Sequence, residues 1–311
     1  MIIHEGYENL RLNAPAATLG IFDGVHRGHR VLLDFLVSRA GETNSESVVI
    51  TFSPHPRLVL EQNTGNLTFL TTLEEKKELL ASAGIDHLIV IEFTKEFSNI
   101  PACDFIKDIL IGKIGIRRLV IGHDHHFGRR GEGDFNTIKK CSEDLDFFVD
   151  QVPAYLGEDG IISSSVIRKG LLSGKIEEAN RWLGYEYSVT GTIVGGKMIG
   201  RSIGFPTANI EPDSEHKLIP GTGVYAVKVQ IDEKTFRGML SIGSNPTVNT
   251  DINLRSIEVH ILDFDEDIYR KKISVIFMKR LRDEKKFENL DQLKEQMSLD
   301  RQETLQLLDI K

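Results

Sequence analysis

The stretch Gly20-Ile-Phe-Asp-Gly-Val-His-Arg-Gly-His29 decides how the N-terminal part of this chain folds. It follows a short apolar run, 16–19, which predicts a buried strand. It precedes 31–40, where apolar residues recur at helical spacing. A strand therefore ends, glycines turn the chain, and a helix begins beside two histidines. A turn of this kind lets the positive end of the helix, with its free backbone N–H groups, approach a phosphate.

Four residues of this stretch carry the expected chemistry. Gly20 and Gly24 let backbone approach a ligand that a side chain would block, and His26 and His29 can donate imidazole N–H groups to phosphates. The alternative is an ordinary polar loop that happens to contain two histidines. The strand before it and the helix after it favour the phosphate site.

The order of residues resembles that of class I nucleotidyl transferases. In its full context it resembles the bacterial FAD synthetases, which combine riboflavin kinase with FMN adenylyltransferase. This resemblance implies catalytic roles for the two histidines and binding of ATP or flavin by four other residues of the loop, Gly20, Phe22, Asp23 and Gly24.

Length and composition set the class of protein. With 311 residues the chain is long enough for about two domains, and its 40% hydrophobic and 27% charged residues are typical of a soluble globular protein. A net charge of −8 argues against a general nucleic-acid binder. No stretch has the length of a membrane span, and the N-terminus lacks the pattern of a signal peptide. We therefore expect a cytoplasmic protein without nucleic-acid or membrane partners.

The chain has two cysteines, Cys103 and Cys141. Two cysteines at this separation give neither a disulfide framework nor the spacing of a metal site. The sequence therefore predicts buried or half-buried free thiols in a reducing compartment.

The N-terminal half alternates between strand and helix patterns. Apolar, β-branched runs predict further strands with helices between them. Helical periodicity after Thr72, where Glu75 completes a capping box, predicts one helix, and Pro101 is expected in the first turn of another that ends near Leu110. This alternation predicts a Rossmann-like α/β domain with a parallel sheet, whose ligands collect at the carboxyl ends of the strands. The predicted strands are 16–19, 47–52, 87–92, 118–121 and 147–152.

Three loops follow predicted strands and should meet at one edge of the sheet: the Gly20 loop, 54–57 and 122–128. The resemblance implies ATP or flavin binding by His55, Pro56 and Asp124. The family usually has Gly-x-Asp/Asn-Phe-x-Phe-Gly in the third loop, and this chain departs from it at His125 and His126. A metal site built from His123, His125 and His126 is an alternative for this loop.

The segment 162–168, Ile-Ser-Ser-Ser-Val-Ile-Arg, opens a predicted helix that ends near Gly174. Helix capping alone can explain serines in this position. Arg168 lies one turn beyond Ser164 and can face the same ligand. The family's Ile-Ser-Ser-Thr-x-Ile-Arg segment binds nucleotide phosphates, which implies that role for Ser163, Ser164, Ser165 and Arg168. A Lys-Met-Ser-Lys-Ser-like segment is absent from the sequence, which argues against an aminoacyl-tRNA synthetase.

The C-terminal half changes to short β-branched runs separated by turns. About six strands with little helix predict a small antiparallel β-barrel, and an amphipathic helix, 289–308, is expected to pack across it. The change of pattern lies near 183–187. We therefore predict two domains, 1–184 and 185–311.

This half contains Gly200-Arg-Ser-Ile-Gly-Phe-Pro-Thr-Ala-Asn209. Pro206 fixes the chain, while Thr207 and Asn209 alternate onto one face and offer a hydroxyl and an amide oxygen. Such hard oxygen ligands suit Mg²⁺ shared with nucleotide phosphates. An ordinary polar turn is the alternative for these residues alone.

Riboflavin kinases carry a similar Gly-Phe-Pro-Thr-Ala-Asn run, and 220–226, 242–247 and 257–264 resemble further kinase motifs in the same order. This similarity implies that Glu258 is the catalytic base, although a strand glutamate can also be a solvated residue. It also implies that ATP or flavin contacts Gly200, Arg201, Gly204, Pro206, Gly223, Tyr225 and Asn245.

Together these patterns predict a bifunctional enzyme. It would phosphorylate riboflavin to FMN with ATP and Mg²⁺, and then adenylylate FMN to FAD with release of pyrophosphate. Two alternatives remain: an FMN adenylyltransferase whose second domain only binds flavin, and a flavin-sensing regulator without turnover. A weak homo-oligomer is also compatible with the sequence.

Overall fold

The computed structural model describes residues 1–61, 67–143, 145–157, 160–195, 204–244 and 255–308. Three predicted binding residues, Gly200, Arg201 and Asn245, lie outside these ranges. The chain divides into two compact units, Met1–Leu67 with Thr71–Ser163 and Thr68–Leu70 with Ser164–Lys311. The domain boundary between 184 and 185 stays a prediction.

A six-stranded parallel sheet forms the centre of the first unit. Its strands are β1 (Ile2–Glu5), β2 (Ala16–Leu19), β3 (Ser47–Ser53), β4 (His87–Glu92), β5 (Arg118–Gly122) and β6 (Phe148–Val152). They lie in the order β1-β4-β3-β2-β5-β6. After β2 the chain builds β3 and β4 on one side and then returns to add β5 on the other. The crevice between β2 and β5 is therefore the switch point at which such sheets bind ligands.

Helices cover both faces of this sheet, as the alternating pattern predicted. They are α1 (Arg27–Glu42), α2 (Pro56–Val59), α3 (Leu73–Ser82), α4 (Ala102–Asp104), which continues as a π-helix (Phe105–Ile114), and α5 (Phe135–Ser142). The described part of this unit also contains two 3-10 turns, Phe97–Asn99 and Arg129–Gly131, and a small antiparallel pair, β7 (Leu156–Gly157) and β8 (Gly160–Ile161). The capping box at Thr72 and Glu75 is formed as predicted.

The four central strands, β2 to β5, are largely buried on both faces, and each face has its own core. On one face the side chains of Ala17, Leu19 and Ile50 pack with the π-helix. On the other, Ala16 and Val49 pack with the apolar stripe of α1 and with Leu80 of α3. Burial on both faces explains why these strands appear in the sequence as continuous apolar runs.

Three details of this unit differ from the sequence prediction. Strand β1 was not predicted, because it is a short strand at the edge of the described sheet that pairs with β4 and leaves most of its residues exposed. The 54–57 segment, expected to be a loop, includes the first two residues of α2, with Pro56 in its first turn. Pro101 is the N-cap of α4 and not part of its first turn.

The prediction of free thiols is wrong. Cys103 in α4 and Cys141 in α5 form a disulfide, with their Cα atoms 5.5 Å apart. The two helices pack against each other over the same face of the sheet, which brings the two sulfurs together although the cysteines are 38 residues apart. Sequence spacing does not reveal a pairing that tertiary packing creates.

The second unit is a closed six-stranded antiparallel barrel, as predicted. Its strands are β9 (Ser188–Val194), β10 (Ala208–Pro212), β11 (Gly223–Ile231), β12 (Lys234–Ser244), β13 (Arg255–Ile261) and β14 (Lys272–Arg282). They close in the order β10-β13-β12-β11-β14-β9. Inward-facing residues of each strand fill the interior, among them Val227, Leu240, Val259 and Phe277.

Among the described residues, three helices accompany the barrel: α6 (Ser164–Leu172), α7 (Ile176–Leu183) and the terminal α8 (Leu290–Leu307). Asn180 of α7 donates to the carbonyl of Phe277 at 2.9 Å, which attaches this helix to β14. Apolar residues of α8 pack on the outside of the barrel, although Leu290 at its start is exposed. No helix among the described residues is long and apolar enough to cross a membrane.

Candidate active sites

The Gly20–His29 loop connects β2 to α1 through an unusual backbone. Phe22, Gly24 and Val25 have φ angles of 49°, 81° and 36°, in the region that favours glycine. For Phe22 and Val25 such angles cost on the order of 1–3 kcal/mol each, and they persist where surrounding packing fixes them. Both side chains are buried in the core beside α1. The loop shape is therefore imposed by packing before any ligand arrives.

The two histidines form a stacked pair at the start of α1. His26 is the N-cap, and its Nδ1 accepts a hydrogen bond from the backbone N–H of His29 at 3.3 Å. The ring centroids are 3.7 Å apart. Because Nδ1 of His26 is an acceptor, its proton is on Nε2, which leaves an N–H donor for a ligand. Nδ1 of His29 is buried without a partner among the described residues.

Burial determines the charge of this pair. It lowers the pKa of His26 to about 4 and the pKa of His29 well below its ordinary value of 6.5. The neighbouring His26 and Lys76 lower the pKa of His29 further. Both rings are therefore neutral at pH 7 and act as hydrogen-bond donors and not as cations.

Asp23 helps to fix the conformation of the Gly20–His29 loop. Its Oδ1 accepts a hydrogen bond from the backbone N–H of Thr71 at 3.2 Å, and the Thr71 hydroxyl accepts one from the N–H of Gly24 at 3.1 Å. Phe22 presents its ring edge to His29, with centroids 5.2 Å apart. Asp23 and Phe22, predicted to bind ligand, are buried parts of the support of this loop.

Lys76, which lies outside the sequence motifs, is a buried cation beside this loop. Burial lowers its pKa from 10.5 to about 8, while the carboxylate of Asp23 opposes that shift. The only visible signal in the sequence is its position in α3, where Lys76 and Leu80 are the buried residues, one turn apart. A lysine in the buried stripe of an amphipathic helix indicates a specific role for its charge.

A cavity of about 890 Å³ opens at the carboxyl ends of β2, β3, β4 and β5. All three predicted loops line it, through Gly20, His55 with Pro56, and Asp124, so their expected convergence is confirmed. The sequence did not predict the rest of the lining. Its walls include the aromatic residues Phe52, Phe93, Phe97, Phe105 and Phe127, and the basic residues Arg57, Arg129 and Arg130.

The histidines of the third loop are not arranged as metal ligands. Burial lowers the pKa of His125 to about 4, and its ring packs beside Phe127 with centroids 5.7 Å apart. Within the described ranges, no group of three or more His, Cys, Asp or Glu side chains can hold a metal ion. His125 and His126 instead form part of the cavity wall.

The predicted serine segment opens α6. Ser163 belongs to the first unit, whereas Ser164, Ser165 and Arg168 belong to the second. Arg168 Nη2 donates to the hydroxyl of Ser165 at 3.5 Å, so the arginine and a serine of this turn do share one side of the helix. Their convergence with the histidine pair stays a prediction.

The second site lies on the outside of the barrel. Asn209 of β10 is directly opposite Glu258 of β13, and the Thr207 hydroxyl donates to Glu258 Oε2 at 3.2 Å. All three side chains are half-buried, whereas their neighbours Ile257 and Val259 face the barrel interior. The structure therefore brings the hydroxyl of Thr207 and the amide of Asn209 beside the carboxylate of Glu258, although Glu258 follows Thr207 by 51 residues in the sequence.

The remaining predicted kinase residues have different surroundings. Gly204 and Pro206 are exposed, and Gly204 has a φ of 84° that requires glycine. A Cβ at Gly223 would lie 2.8 Å from the carbonyl oxygen of Arg282. Tyr225 is completely buried and its hydroxyl donates to the carbonyl of Gly221, so it supports a turn from within the barrel.

The first unit is a parallel sheet with a glycine-containing loop before a helix at its switch point, an arrangement typical of nucleotide-binding domains. The barrel presents a separate cluster of oxygen donors. Family models match both units, FAD synthetase over residues 10–166 and riboflavin kinase over residues 183–308. The class is therefore a two-domain flavin nucleotide enzyme.

Curated relatives are similar over most of their length. The chain is 39% identical to the bifunctional riboflavin kinase/FMN adenylyltransferase of Listeria monocytogenes, covering 92% of this chain and 90% of the relative. It is 37% identical to the Escherichia coli K12 protein of that name, covering 91% and 89%. This chain belongs to the family of bifunctional riboflavin kinase/FMN adenylyltransferases.

A solved structure has the same fold throughout. A crystal structure described as a macrolide-efflux protein from Streptococcus pneumoniae is 31% identical, with a TM-score of 0.89 over 98% of this chain and 99% of that one. The agreement extends over both units of the chain.

Proposed function

We propose that the barrel unit of this chain phosphorylates riboflavin through Glu258. The carboxylate accepts the proton of the riboflavin 5′-hydroxyl as that oxygen bonds to the γ-phosphorus of ATP. The bond from γ-phosphorus to the bridging oxygen breaks, and ADP leaves with the electron pair. The observation that supports this step is the pairing of Glu258 with Asn209 and its hydrogen bond from Thr207.

Thr207 and Asn209 are the proposed ligands of Mg²⁺. The side chains fit this ion, because a hydroxyl, an amide oxygen and a neighbouring carboxylate are hard oxygen donors on one face of the barrel. When bound, Mg²⁺ would offset negative charge on the transferred phosphoryl group. Glu258 and these two residues would also orient the nucleotide before transfer.

In the first unit, FMN is adenylylated without a covalent enzyme intermediate. An oxygen of the FMN phosphate, which is already nucleophilic, bonds to the α-phosphorus of ATP while the bond to pyrophosphate breaks. Neutral His26 and His29 donate to the α- and β-phosphates. The family segment 162–168 supports a role in binding pyrophosphate for Arg168, Ser163, Ser164 and Ser165. Lys76, close to His29 and Asp23, supplies positive charge behind the histidine pair.

The cavity provides space for a flat ring. Its volume of about 890 Å³ lies within the range typical of small-molecule sites. Aromatic walls suit stacking of a planar ring such as the isoalloxazine of FMN, and Arg57, Arg129 and Arg130 suit its phosphate. His55, Pro56 and Asp124 would shape the entrance to this space.

The direct test is incubation of the purified chain with riboflavin, ATP and Mg²⁺, with FMN and FAD resolved by chromatography. We expect FMN first and FAD afterwards. FAD formed only from added FMN would indicate an inactive kinase unit, and binding without any product would indicate a flavin sensor. ATP and flavins are metabolites of the cell interior, and the cytoplasm is the proposed location.

A further inference from the structure

His260 lies at the border between the polar cluster of the barrel and the apolar contact of the terminal helix. It follows Glu258 by two residues on β13, so both side chains point to the outer face. His260 is opposite Met239 of β12 and presents its ring to Phe205, with centroids 5.2 Å apart. Met239 and Phe205 in turn pack against Leu293, Met297 and Leu305 of α8.

The ring of His260 makes one specific polar contact. Its Nδ1 lies 2.8 Å from the carbonyl oxygen of Pro206. A carbonyl oxygen can only accept, so the proton of the ring is on Nδ1 and the imidazole donates. The side chain is 8% exposed, which excludes most water from this hydrogen bond.

Residues 205–207 lie outside the strand ladder, and His260 makes a hydrogen bond to the carbonyl of Pro206 within this segment. Strand β10 begins at Ala208, and its pairing with β13 covers Ala208 and Asn209. Pro206 has no N–H group with which to join a ladder. The peptide that links Pro206 to Thr207 is therefore oriented through its carbonyl, and His260 holds that carbonyl.

We propose that His260 is a positioning residue of the riboflavin kinase reaction. By fixing the Pro206–Thr207 peptide it sets the direction of the Thr207 hydroxyl, which donates to Glu258 at 3.2 Å. The inference rests on the proposed function, in which Thr207 holds Mg²⁺ and Glu258 accepts a proton. The competing explanation is that His260 only fills space under α8.

Two substitutions separate these explanations. The amide nitrogen of Asn can reach the position of the Nδ1 donor, so His260→Asn keeps the hydrogen bond and loses ring volume. His260→Leu keeps apolar volume and loses the donor. If His260→Leu does not fold, His260→Gln replaces it, because its amide reaches the Nε2 position instead.

Each variant is titrated with ADP in the presence of Mg²⁺ by calorimetry, and its riboflavin phosphorylation is measured against Mg²⁺ concentration. Loss of one hydrogen bond corresponds to about a tenfold change. We expect His260→Leu to bind Mg-ADP about tenfold more weakly and to need about tenfold more Mg²⁺, while His260→Asn stays within about threefold of the parent. FMN adenylylation should be unchanged in both.

Parental Mg-ADP binding and phosphorylation in His260→Leu would overturn the inference. Equal losses in His260→Asn and His260→Leu, with matching decreases in melting temperature, would assign the residue to packing and also overturn it. Thr207→Val is the reference: if it too behaves as the parent, the proposed function fails, whereas a loss in Thr207→Val alone contradicts only the role of His260.

Discussion

The histidine loop of the first unit and the Thr207–Glu258 cluster of the barrel solve the same problem in different ways. Both must hold polar groups against the phosphates of a nucleotide. In the loop, left-handed backbone at Phe22 and Val25 and buried rings set the geometry. In the barrel, regular strand pairing sets it, and Glu258 stays half-buried on the outer face.

The two sites differ in how the charge of their polar groups is controlled. Burial makes His26 and His29 neutral donors at pH 7 and lowers the pKa of Lys76 into the physiological range. The barrel cluster instead combines a carboxylate with neighbouring oxygen donors, a set suited to a divalent cation. We therefore expect the activity of the first site to depend on pH and the activity of the second site to depend on the concentration of Mg²⁺.

The largest effect is expected for Glu258→Gln. The amide keeps the size of the side chain but cannot accept the hydroxyl proton, and loss of a general base commonly costs about 10²–10⁴-fold. FMN formation from riboflavin should nearly stop, while adenylylation of added FMN continues. Raising Mg²⁺ should not rescue this variant. Glu233→Gln, on the exposed turn between β11 and β12, is the matched control; a parental rate for Glu258→Gln would remove the proposed base.

His29→Ala should produce the opposite pattern. Loss of one preorganised donor typically costs about 10²–10³-fold in rate. FAD formation from FMN should fall by that factor, with riboflavin phosphorylation unchanged in the same sample. Equal loss of both activities, measured by chromatography alongside thermal unfolding, would point to misfolding or to a shared site.

Thr207→Val tests the metal dependence of the barrel. The substitution deletes the hydroxyl that donates to Glu258 and is a proposed Mg²⁺ ligand. Phosphorylation at limiting Mg²⁺ should fall by about 10- to 100-fold and recover in part when Mg²⁺ is raised. Thr207→Ser keeps the hydroxyl and should retain most activity. An effect of Thr207→Val that is independent of Mg²⁺ would argue against the ligand role.

Lys76 gives the smallest expected change in rate and a distinct pH dependence. Because its pKa is about 8, kcat/KM for adenylylation should fall by about tenfold as pH rises through that value and the charge is lost. Lys76→Arg stays charged and should remove this decline. A decline that persists in Lys76→Arg would exclude Lys76 as its cause.

Lys76 should affect stability in the opposite direction: the free energy of unfolding should rise with pH while the rate of adenylylation falls. The folded pKa of about 8 lies below the ordinary value of 10.5, so the penalty for charging Lys76 is complete below pH 8 and disappears above pH 10.5. This shift corresponds to about 3 kcal/mol. Lys76→Met should therefore raise the free energy of unfolding at pH 7, measured by denaturant titration, while it lowers the rate of FMN adenylylation.

Much of the fold could be predicted because the pattern and the packing agree. Strands buried on both faces gave continuous apolar runs, and the Gly20–His29 loop marked the turn from the first predicted strand into the first predicted helix. Strand β1 and the disulfide between Cys103 and Cys141 could not be predicted, since each depends on a neighbour distant in sequence. The aromatic wall of the cavity also comes from separate elements, so no local motif records it.

The site predictions divide in the same way. The motifs identified Thr207, Asn209 and Glu258 as candidate kinase residues, and the structure brings them together. Asp23 of the Gly20–His29 motif and Tyr225 of the 220–226 motif were also predicted to bind ligand, but both side chains are buried and support turns. A motif therefore does not distinguish a residue that contacts ligand from one that supports such a residue. Lys76 lies outside all of the motifs. His260 lies inside the 257–264 motif, in which a chemical role was predicted for Glu258 but not for His260.

The central claim is that two separate sets of residues carry out two successive reactions, and mixing two variants tests it most directly. Glu258→Gln and His29→Ala are incubated with riboflavin, ATP and Mg²⁺, first alone and then together, and FMN and FAD are resolved by chromatography. We predict almost no FAD from either variant alone, and FAD from the mixture, because FMN made by His29→Ala is adenylylated by Glu258→Gln. A mixture that forms FMN but no FAD, although Glu258→Gln is folded and supplied with that FMN, would contradict the claim.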